Sequence, residues 1–347
     1  MPRDSLRAAL LVCAALAAAL LAGCGGDRRT HPGAAVAPAA SLAPQHPLTK
    51  VYGTDASPAD VAAAAIQQPT AGGLRSEINP LSEHDFDRPI ARYRRYAIAQ
   101  ARAMQQPVAA LTAALQRSDR DAAERAWGDA YDRYLLLGAA YGALGDLDVA
   151  IDGTPGHLAG GVADPDFTGL HRIEHDLYTG VPTQQIVPFA RRLSADVDKL
   201  PHALAKIEIT PLDYATRAHE IMEDAQRDMI SDRAAPWSGA GVRATADGLT
   251  ATETVIDTLR PVLNGRGDAL PPVDTWMLAF RGVLSEVRRA HGGTWPRLSA
   301  LSHAERQRVD GTLGALLEAL SAVPGTLETA LPPAVPTIAS QTQESHG

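Results

Sequence analysis

From Phe86 onward, apolar residues return every three or four positions. Phe86, Ile90, Tyr93, Ala97, Ala101, Met104, Val108, Leu111 and Leu115 make one long stripe, the spacing of an amphipathic helix that buries a single face. Pro89 falls in the first turn of this pattern, where a missing N–H costs nothing. Pro107 lies inside it and is expected to kink or break the helix. Ser118-Asp119 restarts a helix that carries Trp127, Tyr131, Tyr134 and Leu135 and is expected to run to about Leu144. An irregular Gly/Asp/Pro stretch separates it from a short helix around residue 171. Stripes of the same period follow at Ala215, Ala218, Met222, Ala225 and Met229, then at Val242, Ala246, Leu249, Ile256, Leu259 and Leu263. Two more run through Trp276, Phe280, Val283 and Val287, and through Val309, Leu313, Leu316 and Leu320. Strand-like alternation is missing. The pattern predicts an all-α protein of roughly seven to nine helices packed as antiparallel bundles, one large or two fused and smaller.

The chain upstream of this body reads differently. Arg3 and Arg7 precede an apolar run from Ala8 to Leu21, too short to span a bilayer but suited to the core of a signal peptide. The run ends in Leu21-Ala22-Gly23-Cys24, which resembles a bacterial lipobox, a signal in which the cysteine becomes the lipidated first residue. Residues 1–23 are therefore expected to be a lipoprotein signal peptide, with Cys24 the lipid anchor. Residues 24–83, with Pro32, Pro38, Pro44, Pro47 and Pro58 among Ala, Ser and Gly, read as a flexible tether, and 326–347 as a disordered tail. This places the globular part in the periplasm or on the outer face of the cell membrane. Cys13 and Cys24 are the two cysteines, so no thiol remains in the body and any metal site must use histidine and carboxylate. The formal charge is −8 with no basic cluster, a poor match for nucleic acid and a reasonable one for cations.

The chemistry concentrates in Gly169-Leu-His-Arg-Ile-Glu-His-Asp-Leu177. His171 and Glu174 are three apart and His171 and His175 four apart, so one helix turn presents imidazole and carboxylate together. Such a set suits iron, zinc or copper better than calcium or magnesium. His171-Arg-Ile-Glu174-His175 is also literally H-x-x-E-H, the order in which two histidines bind zinc and the glutamate is general base. The readings left open are a metal-binding transport component, a metallopeptidase, and a structural or regulatory lipoprotein with a vestigial site.

Gly145-Asp-Leu-Asp148, Ile151-Asp152 and Phe167-Thr-Gly-Leu-His-Arg-Ile-Glu174 together resemble the imelysin-like, EfeO-type proteins of bacterial iron uptake, whose signature is GxHxxE. Phe86-Asp-Arg-Pro-Ile90, with Tyr93 and Tyr96, and Ala218-His-Glu-Ile-Met-Glu223 match the same pattern, so the resemblance spans residues 84–325. It implies two fused antiparallel four-helix bundles with a metal site at their cleft. The implied role is non-enzymatic: binding iron, with zinc or copper fitting the same ligands, and passing it to an iron permease of the membrane. Carried over residue by residue, the metal ligands are His171, Glu174, Asp152 and Glu223, with Asp148 and Asp146 as neighbours of Asp152 and His219 beside Glu223. Some relatives carry an N-terminal cupredoxin domain, where this chain has the tether. Relatives also carry acids on the helix before the DLD run, at places that match Leu135 and Gly138 here. Glu253, on an otherwise apolar stripe, is either a compensating carboxylate or an arginine's partner.

Overall fold

The computed structural model describes residues 81–140 and 142–328. The segments read as signal peptide and tether, up to residue 80 and including Cys24, lie outside the described residues, as does the expected tail from 329; its first residues, 326–328, belong to the folded body, with Thr326 ending the last helix and Leu327 buried. Leu81, placed within the tether by its composition, is already buried at 3 % exposure, so the folded body starts no later than there.

The first stripe folds as α1 (Asp87–Gln116), which runs straight through Pro107. Proline inside a helix forfeits one backbone bond and costs about 3 kcal/mol. Here the unbroken apolar face, with Tyr93, Ala97, Ala101, Met104, Val108 and Leu111 buried, outweighs it. Asp119 caps α2 (Arg120–Leu135) by accepting from the Ala122 N–H at 3.0 Å. This helix ends well before Leu144: the chain leaves it into a short 3-10 turn at Gly138–Ala140, and Gly138 sits at φ +52°. A β-carbon there would lie 2.9 Å from Ala251 and 3.1 Å from Ile221. The Tyr93 hydroxyl donates to the Leu137 carbonyl and closes the turn.

The remaining helices are α3 (Asp146–Asp152), α4 (Gly169–Tyr178), α5 (Thr183–Val197), α6 (Leu200–Lys206), α7 (Pro211–Asp224), α8 (Gly241–Leu263), α9 (Leu270–Ala290) and α10 (His303–Thr326). Packing closes two rings. In one, α1 lies against α2 and α5, and α4 lies against the same two; in the other, α7 and α9 each lie against both α8 and α10. Helix α8 joins them by packing on α1 and α2. Two fused four-helix bundles result, with no β-strand among the described residues. None of the described helices is long and apolar enough to cross a membrane.

Candidate metal centre

Helices α3 and α4 are short, and one glycine sets how closely they meet. Gly169 opens α4 at φ +77°, and a β-carbon on it would fall 2.3 Å from the Ile151 carbonyl oxygen and 2.6 Å from that of Ala150. Only glycine fits both the backbone conformation and the space. The Trp127 indole N–H donates to the Leu170 carbonyl at 2.9 Å, fixing the same end of α4 to α2. The consequence is that Asp152, last residue of α3, faces His171 in the first turn of α4. Gly169→Ala is expected to lower unfolding stability by more than about 1 kcal/mol and to weaken metal binding with it, which urea denaturation and calorimetry would show together.

His171 is 2 % exposed and has a carboxylate at each ring nitrogen. Nε2 lies 3.1 Å from Asp152 Oδ1, and Nδ1 lies 3.1 Å from Glu174 Oε2. The Tyr131 ring meets the imidazole edge to face at 5.5 Å. Burial alone draws the His171 pKa down, but Asp152 and then Glu174 more than offset it and hold the ring at about 10. Burial also lifts Asp152 above the ordinary carboxylate range while His171 pulls it back. The Asp152 side chain keeps 30 % of its surface open, and we take it as the charged partner of an imidazolium.

Glu174 is fully buried, and both its oxygens are engaged. Oε2 faces His171; Oε1 accepts from the Trp237 N–H at 3.2 Å, the Ser238 N–H at 2.8 Å and the Ser238 hydroxyl at 2.7 Å. Because Asp152 and Glu174 stand at opposite ring nitrogens, one ion bound to Nε2 reaches Asp152 and not Glu174. Glu174 stands where a second carboxylate would fix the tautomer and aim of the His171 ring if its Nε2 bound an ion. Its role as a direct ligand, implied by the motif alone, does not follow from this packing.

Asp152 and His171 open onto a cavity of about 550 Å³, also lined by Tyr131, Tyr134, Leu135, Asp148, Asp224 and Asp228. Tyr134 donates to Asp148 through its hydroxyl, and Gly142 N–H does so at 3.2 Å. Asp224 and Asp228 share Arg227, at 2.7 and 2.8 Å. As they stand, no three His, Cys, Asp or Glu side chains among the described residues form a group that could hold an ion.

Glu223 is not brought to this cavity. It lies exposed on α7, 3.5 Å from His219, and its neighbour Asp224 takes the inward place. The seam of α7 includes Tyr214 and Ile221 as well as Ala218 and Met222. Its centre is therefore shifted away from Met222, leaving Glu223 about 150° and Asp224 about 110° from it. His175 turns elsewhere: its Nδ1 lies 2.8 Å from Asp176 and its ring abuts Trp237 at 5.0 Å. Asp176 is held in turn by Arg172 at 2.8 Å. Glu253 is the arginine's partner, gripped by both Arg281 Nε (2.8 Å) and Nη2. Of the two positions matched to acids in relatives, Leu135 does line the cavity, whereas Gly138 is packed against α7 and α8 with no room for a side chain.

The hold on Glu174 from residues 63 and 64 positions downstream carried no signal in the sequence, since Trp237 and Ser238 act largely through backbone N–H groups.

The family model for imelysin matches residues 89–252, a span that contains nearly all of α1, α2 to α7 with Asp152, His171 and Glu174, and about half of α8. The iron uptake system component EfeO of Escherichia coli (strain K12) is 24 % identical over 239 residues, covering 69 % of this chain and 63 % of the relative. The proteins of the same description from Shigella flexneri and Shigella sonnei match to the same extent. The chain thus spans about 63 % of the length of these curated relatives. The glycine-opened HxxE helix, the helical architecture and these matches agree: residues 89–252 match the imelysin family, and the chain is similar to EfeO-type iron-uptake components.

Proposed function

We propose that this protein is an extracytoplasmic metal-binding component of an iron-uptake system. It takes up iron at His171 and Asp152 and passes it to a membrane permease. The observation that carries the reading is the His171 ring itself: Nδ1 is braced by a fully buried glutamate while Nε2 faces a carboxylate at a cavity wall. An ion would enter with Nε2 and Asp152 as its first protein ligands. Asp148, Asp224 and Asp228 would supply negative charge around it, and the remaining positions would go to water or to a rotated carboxylate. An N/O set of this kind fits ferrous or ferric iron and also zinc or copper, so selectivity comes from supply and handover rather than from the ligands alone. The similarity to iron-uptake components supports iron as the cargo. The peptidase reading needs His171 and His175 on one ion, and the pairing of His175 with Asp176 and Trp237 counts against it.

Metal entry must displace the Nε2 proton. With the His171 pKa at about 10, the imidazolium–carboxylate contact stabilises the fold fully below the unfolded pKa of about 6.5 and is lost as pH rises through about 10. Metal affinity should move oppositely, rising about tenfold per pH unit between about pH 7 and 9 as one proton is released per ion. Calorimetric titration in buffers of different ionisation enthalpy measures both quantities, and an affinity independent of pH would rule out His171 as a ligand.

Anchoring at Cys24 belongs to the same proposal, since a tethered carrier stays close to a membrane permease. Cys24→Ser is expected to release the protein from the membrane fraction or block its processing. Membrane association at an unchanged mature mass would contradict it.

A further inference from the structure

A second, larger cavity of about 1230 Å³ opens between the bundles, walled by α2, α8, α9 and residues 292–297. It is distinct in lining from the His171 cavity, although Tyr131 touches both and the chain passes from one to the other between Trp237 and Ser238. Five arginines line it: Arg243, Arg281, Arg288, Arg289 and Arg297. Two are committed. Arg243 pairs with Asp129 at 3.0 Å and with Asp132, and Arg281 grips Glu253.

The other three have no carboxylate partner among the described residues. Arg288 donates to the Gly293 carbonyl at 2.8 Å and lies over the Trp295 ring at 5.2 Å. Arg297 reaches only the Trp237 carbonyl, at 3.4 Å. Arg289 is exposed, and its side chain makes no bond among the described residues. The acids that share the cavity do not cancel these charges. Asp132 is covered by Arg243, and burial followed by repulsion from Asp132 lifts the Asp247 carboxyl to about 9, so it stays protonated at neutral pH. Glu124 alone remains. A protein of formal charge −8 thus keeps a cationic cleft, and the excess is presented by guanidinium forks shaped to take carboxylate or phosphate.

The arrangement favours an anion whose charges are spread over a carbon frame. Arg288 and Arg289 are neighbours on α9 whose side chains leave the helix about 100° apart, and Arg297 comes from a different segment, so a compact phosphate would leave most of these three forks unfilled. Tyr178 and Trp295 on the walls offer aromatic faces to the frame between the charges. We propose that this cleft binds a small organic polycarboxylate, its carboxylates held by Arg288, Arg289 and Arg297.

The test is calorimetric titration of the full-length, metal-free protein with citrate, tricarballylate and pyrophosphate. Citrate and tricarballylate are expected to bind one per chain, at least about tenfold more tightly than pyrophosphate, and to weaken as salt rises from about 50 to 300 mM. Arg289→Glu and Arg288→Glu should each cost at least about tenfold in citrate affinity, and the exposed Arg289→Glu should leave the melting temperature unchanged. Absence of binding by either polycarboxylate, tighter binding of pyrophosphate, or unchanged citrate affinity in both variants would overturn the proposal. Because no metal is present in the titration, neither outcome bears on the His171 site.

Discussion

His171→Ala is expected to weaken iron and zinc binding by at least about a hundredfold, a loss of about 2.8 kcal/mol. The variant removes the one nitrogen ligand and leaves Asp152 as a lone carboxylate at the cavity wall. His175→Ala, four residues on, should leave affinity within about threefold, because that ring is spent on Asp176 and Trp237. The pair separates two chemistries that the sequence motif leaves joined. In an H-x-x-E-H hydrolase both substitutions would abolish binding; in a carrier built on Nε2 and Asp152 only the first does. Equal losses in the two variants, read by competitive titration, would return the peptidase arrangement to the front.

Glu174 carries the second large effect, and it acts on the fold as well as the site. Its carboxylate receives three donors from Trp237 and Ser238 and faces the imidazole, with no exposure to water. Glu174→Ala strands those donors and leaves the ring with one counter-charge, so a loss of about 3–5 kcal/mol in unfolding free energy is expected. Glu174→Gln keeps the volume and one acceptor and is the informative variant. It should fold, yet lose about 10–100-fold in metal affinity, since an imidazole no longer braced by a carboxylate is a poorer ligand. Urea denaturation of both variants, with metal titration of Glu174→Gln, distinguishes a positioning role from a purely structural one. Unchanged affinity in Glu174→Gln would assign Glu174 to the fold alone.

The helical period revealed most of the architecture because each helix buries one continuous stripe. Where a single residue competes with a whole stripe, the stripe wins, and so Pro107 sits inside α1 without ending it. The early end of α2 was harder to see. It depends on Gly138 at positive φ and on the Tyr93 hydroxyl closing the turn from another helix, and neither follows from periodicity. The site divides in the same way. His171 and Glu174 share a turn by spacing alone, but their different stations, one at the cavity and one behind it, depend on what α3 and residues 237–238 bring from elsewhere. Asp152 could be placed because the family pattern carries it. Glu223 is carried over by the family pattern alone, whereas the buried seam of α7, which includes Tyr214 and Ile221, brings Asp224 and not Glu223 to the cavity.

Charge organises the region around the site. Asp148, Asp152, Asp224 and Asp228 border one cavity, with Arg227 and the His171 imidazolium among them. Like charges so close are tolerated while protons or arginines stand between them, and a cation entering the cavity would replace the His171 proton in that role. Leu135 interrupts the acidic lining on the α2 side, which makes the site less suited to a hard trivalent ion than one with a carboxylate there.

As a direct ligand, His171 Nε2 would leave a signature in the metal's own coordination shell. X-ray absorption fine structure of the iron-loaded protein tests it without reference to affinity. One imidazole among oxygen ligands is expected in the parent protein, and an oxygen-only shell in any iron retained by His171→Ala. An iron shell lacking imidazole in the parent, or an imidazole signal that survives in His171→Ala, would contradict it.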